Sequence, residues 1–176
     1  MHRFTEIASI STHFSLERIN EAFERTEIEL RETERTLPGK VLQALNLSKV
    51  IYAVGLFSIF EGHVQQALKC TNGFTEIQAI LDQAGEVALK EEFSTYYLAI
   101  NALKHGDGRS YNTLVKKISG LNFSVETPST PNYGVGDLTA VTGLVKVDTD
   151  FIENCMSLIE RVSDCIEKIR PEYSGH

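Results

Sequence analysis

Hydrophobic residues near the start of the chain recur at alternating spacings of three and four, which predicts a long amphipathic helix from about Phe14 to Leu37. The positions of this stripe are Leu16, Ile19, Phe23, Thr26, Leu30, Thr33 and Leu37. Most positions between them are charged, as in the favourably ordered pair Glu21 and Arg25. Pro38-Gly39 is expected to end the helix. The narrow stripe fits a bundle helix with a solvated face, or a helix that meets a second subunit in part.

A second segment, from about residue 41 to 69, is apolar on most sides between Val50 and Phe60. A helix that is hydrophobic all round belongs in the centre of a bundle. The run is shorter than the roughly 20 residues that a membrane span needs. It also contains Ser58 and ends at Glu61. The pattern therefore predicts a buried central helix and no membrane partner.

Three shorter apolar patterns predict helices over about 74–82, 86–104 and 111–118. Gly106-Asp107-Gly108 is expected to form a turn between the last two helices. The stretch from Ser119 to about Asp137 is rich in Gly, Asn, Ser, Thr and Pro, so it predicts a long irregular loop. A loop of this length in a compact domain usually has a function or is mobile.

Residues 138–147 contain Val, Thr and Leu and predict a short β element. The final helix is expected to begin with Asp150 and Glu153 as a pair resembling a capping box, and to stop before Pro171. Its apolar positions repeat at the three-four spacing: Phe151, Cys155, Leu158, Val162, Cys165 and Ile169. The whole pattern predicts an all-α bundle of about five or six helices, with one domain over residues 1–176.

Composition limits the partners and the compartment. The net charge is −7, from 17 Lys and Arg against 24 Asp and Glu, which argues against DNA and against a broad nucleic-acid surface. Cys70, Cys155 and Cys165 have no metal-site spacing and make no even disulfide set, so they are expected to be reduced thiols. With no targeting signal evident, we expect a cytoplasmic protein without cofactor or metal.

Polar residues on the fourth predicted helix form the best candidate site. Tyr97, Asn101 and His105 are spaced i, i+4, i+8, so they share a face, and Arg109 follows. A histidine at a helix C-terminus feels the negative end of the dipole and can act as a general acid or base near neutral pH. The alternative is that His105 only ends the helix before Gly106.

These residues resemble a known family. Asn101-x-x-x-His105-Gly106 resembles the core of the HEPN superfamily motif, often written Arg-Asn-x-x-x-His. The segment from Leu56 to Val64, which contains Glu61, resembles the helix in which many HEPN proteins place an acidic residue near the motif. The resemblance covers about residues 41–118. It implies a helical bundle that dimerises and brings two motifs into one cleft. Active members of the family are metal-independent ribonucleases, and many of them are toxins or defence effectors in prokaryotes.

The same resemblance implies roles for individual residues. His105 would move the proton of a ribose 2′-hydroxyl or of the leaving oxygen. Asn101 would position the substrate, and Glu61 would orient the histidine or a partner donor. Every one of these roles assumes that Glu61 lies close to His105.

One position departs from the family pattern. The motif arginine should precede Asn101, but that residue is Ile100, which cannot neutralise a phosphate. Lys104 and Arg109 are the candidate substrate-binding replacements, although Lys lacks the bidentate fork of Arg. We therefore expect a degenerate motif with weak or absent nuclease activity.

Three functions follow from these observations. The first is a HEPN-like homodimer with a degenerate motif that acts by binding RNA or a partner protein. The second is an active metal-independent ribonuclease that uses His105 together with Lys104 or Arg109. The third is an unrelated helical interaction domain, because the narrow apolar seams of both end helices suit partner helices.

Overall fold

Six α-helices account for most of residues 3–32, 36–127 and 143–175, which are the residues that the structure, a computed structural model, describes. The helices are α1 (Phe4–Glu32), α2 (Leu37–Leu68), α3 (Gly73–Gln83), α4 (Val87–His105), α5 (Arg109–Lys116) and α6 (Thr149–Ile169). Short 3-10 turns cover Ile118–Gly120 and Pro171–Gly175. The prediction of an all-α bundle with five or six helices is confirmed for this part of the chain.

The C-terminal helix α6 lies at the centre of the packing, in contact with α1, α2, α3 and α4. Its predicted apolar seam is confirmed, since Phe151, Leu158 and Val162 are all buried. Cys155 and Cys165 are also buried, as expected for small core residues. Burial raises the pKa of both thiols.

Helix α2 is central, as predicted, since it contacts α1, α3, α4 and α6, but it buries only one face, so the prediction that the whole helix is buried is wrong. Its inner face contributes Ala53, Leu56, Phe57, Phe60 and Val64 to the core. The opposite face exposes Ile51 and Ile59 (62% and 64%), because none of the described helices covers it. By length and composition alone α2 is apolar enough to cross a membrane, a test that the core helix of a bundle also passes.

Helix α1 begins at Phe4, well before the predicted start at Phe14. Pro38-Gly39 lies in the first turn of α2 and does not end α1 directly. A proline is tolerated there because the first amides of a helix have no intrahelical acceptor. Within the predicted stripe, Leu16 and Thr26 are buried, Ile19 and Phe23 are half-buried, Leu30 and Leu37 are exposed, and Thr33 lies outside the described residues.

The segment between α5 and α6 is only partly described. Of the predicted loop over 119–137, residues 121–127 have irregular backbone and residues 128–137 lie outside the described part. Of the β element predicted near 138–147, the described residues show one isolated antiparallel bridge between Val125 and Val145. Residues 138–142 lie outside the described ranges.

The start of α6 differs from the prediction by two residues. Asp148, not Asp150, is the capping residue, and its Oδ1 accepts a hydrogen bond from the Phe151 amide at 3.0 Å. Asp148 has the extended backbone that an N-cap requires, whereas Asp150 already lies inside the helix. Pro171 follows the end of the helix, as predicted.

Candidate functional site

Three of the predicted site residues meet in one small pocket at the junction of α2, α3 and α4. Glu61 comes from α2, and Asn101 and Lys104 come from α4. The pocket has a volume of about 10 Å³, close to the space that a single water molecule requires. The described conformation therefore brings these side chains together but leaves no room for a nucleotide among them.

The aromatic ring of Phe74 closes the pocket from the side of α3. It stacks on Tyr97 with ring centroids 3.8 Å apart and an interplanar angle of 15°. Burial raises the pKa of Tyr97, the negative charge of Glu61 raises it further, and a hydrogen bond with Asn101 opposes the change. The Tyr97 side chain is therefore close to both the Glu61 carboxylate of α2 and the Asn101 amide of α4.

Glu61 connects α2 to the N-terminus of α3 at this junction. Its Oε1 accepts a long hydrogen bond from the Phe74 amide, at 3.4 Å, in the first turn of α3. A carboxylate at this end of a helix is stabilised by unpaired amides and by the helix dipole. Asn72 caps the same helix end by accepting from the Thr75 amide at 2.9 Å.

Gly73 allows α3 to approach α2 closely at the same point. A Cβ atom on Gly73 would lie only 2.8 Å from the backbone oxygen of Glu61 and 2.9 Å from its Cγ. Only a residue without a side chain fits there. Glu61 and Gly73 together fix the N-terminus of α3 against the C-terminal part of α2.

His105 lies outside this pocket. It is the last residue of α4, it is exposed, and no hydrogen bond or ion pair in the described structure joins it to Glu61. Gly106 follows with a φ of 77°, and its amide donates to the Ala102 oxygen at 2.8 Å. This geometry agrees with the alternative that His105 only ends the helix before Gly106. The role of His105 as an acid or base stays a prediction.

The two candidate phosphate-binding residues are separated by the turn after α4. Lys104 borders the pocket and is exposed, whereas Arg109 is the exposed first residue of α5. Neither forms an ion pair within the described ranges. Ile100, at the position of the motif arginine, is only 3% exposed and belongs to the core. Ile100 also borders the pocket, but its apolar side chain offers no hydrogen bond or charge there.

Sequence reasoning missed Phe74 and Gly73, which shape the pocket as much as the predicted residues do. The only local signal was the Asn72-Gly73 turn twelve residues after Glu61, and a turn does not reveal which helix it will touch. No group of three or more His, Cys, Asp and Glu side chains in the described parts of the chain is arranged to hold a metal ion.

A second surface feature was also missed: an apolar groove between α1 and α2. Its volume is about 370 Å³, and Ile7, Ile51, Gly55 and Ile59 are among the residues that line it. Tyr52, which also lines the groove, donates hydrogen bonds to Ser11 and Thr12 at 3.3 and 3.1 Å. In size and composition this groove is suited to an apolar side chain of another molecule.

Comparisons with protein-family models, with curated proteins and with solved structures find no match to this chain. The resemblance to the HEPN superfamily therefore depends on the motif residues themselves. We treat the family, and every role drawn from it, as a proposal.

Proposed function

We propose that this chain is a HEPN-like helical protein that acts as a homodimer by binding, and whose motif does not cleave RNA. The observation that carries this proposal is the burial of Ile100 at the position of the motif arginine. A core isoleucine can neither neutralise a phosphate nor donate a hydrogen bond to it. Loss of one charge-stabilising donor typically lowers a rate by about 10²–10³-fold.

The geometry around Glu61 supports the same conclusion. The pocket shared by Glu61, Asn101 and Lys104 has space for about one water molecule, so a ribose and its phosphate cannot enter it. Glu61 already accepts the Phe74 amide, and His105 stands outside. An exposed histidine without an orienting carboxylate is a poor general base, because neither its tautomer nor its direction is fixed.

The surface of the molecule favours a protein partner over RNA. The groove between α1 and α2 is apolar, and the net charge of the chain is −7. RNA binding draws most of its affinity from Lys and Arg contacts to phosphates, and it needs a basic surface. A binding protein of this kind fits the prokaryotic defence and toxin–antitoxin settings that the resemblance implies.

A cleavage assay separates this proposal from the active-ribonuclease alternative. A labelled single-stranded RNA is incubated in EDTA with the unaltered protein at micromolar concentration and, in parallel, with His105→Ala. We expect the RNA to stay intact with both proteins. Cleavage by the unaltered protein that disappears in His105→Ala would overturn the proposal and establish a ribonuclease that uses His105 with Lys104 or Arg109.

Binding of the intact RNA is measured in the same samples by fluorescence anisotropy. We expect no saturable binding at moderate salt. If the RNA binds, and if the affinity falls with rising salt and is weakened in Lys104→Ala and in Arg109→Ala, the proposed partner would be RNA and not a protein.

A further inference from the structure

Lys49 is the one charged residue that is buried in the described parts of the chain. It lies on α2 and is only 8% exposed. Thr12, Thr26 and Ser163, which are also polar and buried, each form a hydrogen bond. Within the described ranges Lys49 forms no hydrogen bond and no ion pair. A buried charge without a counter-ion is costly, so its presence in a protein core needs a reason.

The surroundings of Lys49 come from α1 and from the start of α6. Its Nζ lies 5.2 Å from the centre of the Phe23 ring of α1, which is a cation–π contact. The charged residues of the described chain that act on Lys49 are Asp148 and Lys146. The Asp148 carboxylate accepts a hydrogen bond from the Phe151 amide at 3.0 Å and forms an ion pair with Lys146 at 3.1 Å. The carboxylate nearest to Lys49 therefore already has two other partners.

This environment favours the neutral amine of Lys49. Its pKa is lowered, and burial is the largest cause. The negative charge of Asp148 raises the pKa, while the positive charge of Lys146 lowers it further. A lysine that is desolvated, or that lies beside another cation, becomes a nucleophile closer to neutral pH, because a larger share of its amine has a free lone pair.

The amine of Lys49 stays within reach of a small molecule. No side-chain nitrogen or oxygen in the described residues is fully enclosed without a hydrogen-bond partner. Because Lys49 has no such partner, its Nζ keeps contact with solvent while its hydrocarbon stem is enclosed. Since only 8% of the residue is exposed, the opening admits a small reagent.

We propose that Lys49 is a covalent binding site for a small aldehyde, with which its Nζ forms an imine. The Nζ attacks the carbonyl carbon, a C=N bond replaces the C=O bond, and the two hydrogens of the neutral amine leave with the carbonyl oxygen as water. An aldehyde suits this amine because the reaction requires no activated leaving group. The protonated imine keeps the positive charge, so the Phe23 ring and Asp148 stabilise it as they stabilise the ammonium.

This site is separate from the pocket at Glu61, which Lys49 does not line. It depends neither on the proposed homodimer nor on the absence of RNA cleavage. The experiments that test it therefore leave the proposed function unaffected.

Reductive trapping tests the site directly. The unaltered protein is incubated near neutral pH with limiting acetaldehyde and cyanoborohydride, which reduces the imine to a stable amine, and the modified peptides are mapped by mass spectrometry. We expect the adduct to form on Lys49 ahead of every other lysine. The matched control is Lys40, an exposed lysine of the same helix. The α-amino group also reacts under these conditions, so its peptide is counted separately. Labelling of Lys49 that does not exceed that of Lys40 would overturn the proposal.

The pH dependence of trapping shows whether the fold produces this reactivity. The pH midpoint of labelling should be lower for Lys49 than for Lys40. Lys146→Gln should move the Lys49 midpoint upward, because it removes the neighbouring cation. In denaturing urea the two lysines should be labelled equally. If the preference for Lys49 persists in urea, or if Lys146→Gln leaves the midpoint unchanged, the folded environment is not the cause and the proposal fails.

Lys49→Arg supplies the chemical control. Arginine keeps the positive charge over Phe23 but forms no imine under these conditions, so this adduct should be lost while urea unfolding stays nearly unchanged. If Lys49→Arg does not fold, the comparison of Lys49 with Lys40 in the unaltered protein decides by itself. A parallel sample replaces acetaldehyde with acetyl phosphate. Preferential acetylation of Lys49 without preferential aldehyde trapping would make it an acyl acceptor and would contradict the proposed imine.

Discussion

The close approach of α3 to α2 predicts that Gly73→Ala destabilises the protein. The new Cβ would lie 2.8 Å from the backbone oxygen of Glu61 and 2.9 Å from its Cγ. A flexible side-chain end could move aside, but a backbone oxygen in the middle of a helix cannot. The N-terminus of α3 must therefore move away from α2, which disturbs the stacking of Phe74 on Tyr97 and the packing of the buried Ile77.

The magnitude follows from two opposing effects. Forcing one extra carbon into a packed junction typically costs about 1–3 kcal/mol. Replacing glycine by alanine in a compatible backbone stabilises by about 0.4–1 kcal/mol, because the unfolded chain loses freedom. We expect a net loss of about 1–2 kcal/mol, which lowers the melting temperature by about 2–8 °C for a chain of this size.

The measurement is thermal and urea unfolding followed by far-UV circular dichroism. The control is Gly39→Ala in α2, where a Cβ atom meets nothing within 4 Å, so this variant should be as stable as the unaltered protein or slightly more stable. If Gly73→Ala unfolds at the same temperature as Gly39→Ala, α3 does not lie as close to Glu61 as the structure shows, and the junction that forms the candidate site is not built as we describe.

Three further predictions test the core, the alkaline limit and the histidine. Phe60→Ala, at a fully buried position, should lower the free energy of unfolding by about 3–5 kcal/mol, whereas Val87→Ala, at a position 74% exposed, should change it by less than about 0.5 kcal/mol; similar urea midpoints would contradict this. Burial raises the pKa of Tyr96, which donates to Asn122 at 3.1 Å, to about 12. In the unfolded chain this tyrosine has its usual pKa of 10, so the free energy of unfolding should fall as the pH rises from 10 to 12. In Tyr96→Phe the free energy of unfolding should fall less steeply over this range, as measured by urea unfolding at a series of pH values. His105→Ala should unfold within about 0.5 kcal/mol of the unaltered protein, because the side chain is exposed, and a larger loss would show that His105 supports the fold.

Where a helix has one regular apolar stripe, the sequence was enough to predict which of its residues are buried. The three-four spacing of Phe151, Leu158 and Val162 in α6 coincides with the residues that are buried, because a regular stripe has only one way to face the interior. The turn at Gly106 was predictable for a local reason, since a positive φ at a helix end favours glycine.

The exposed face of α2 was not predictable from composition. An all-apolar helix indicates burial on every side, but the sequence does not say whether the cover comes from the same chain or from another molecule. Ile51 and Ile59 look like core residues in the sequence, and only the packing shows them at the surface.

The candidate site was predictable only in part. The resemblance named Glu61, Asn101 and Lys104, and these residues do line one pocket. It did not predict that His105, one residue beyond Lys104, would stand outside. His105 shares the helix face of Asn101, but it lies one turn further along, at the last residue of α4 and beyond the pocket. The contact between Glu61 and the start of α3 is long-range, and no local pattern encodes it.

The central claim is the proposed homodimer, and the mass of the unaltered protein in solution tests it most directly. One chain weighs 19.7 kDa. Light scattering coupled to size-exclusion chromatography at micromolar concentration should give twice that mass, with or without EDTA. A particle with the mass of a single chain across the whole concentration range would contradict the account.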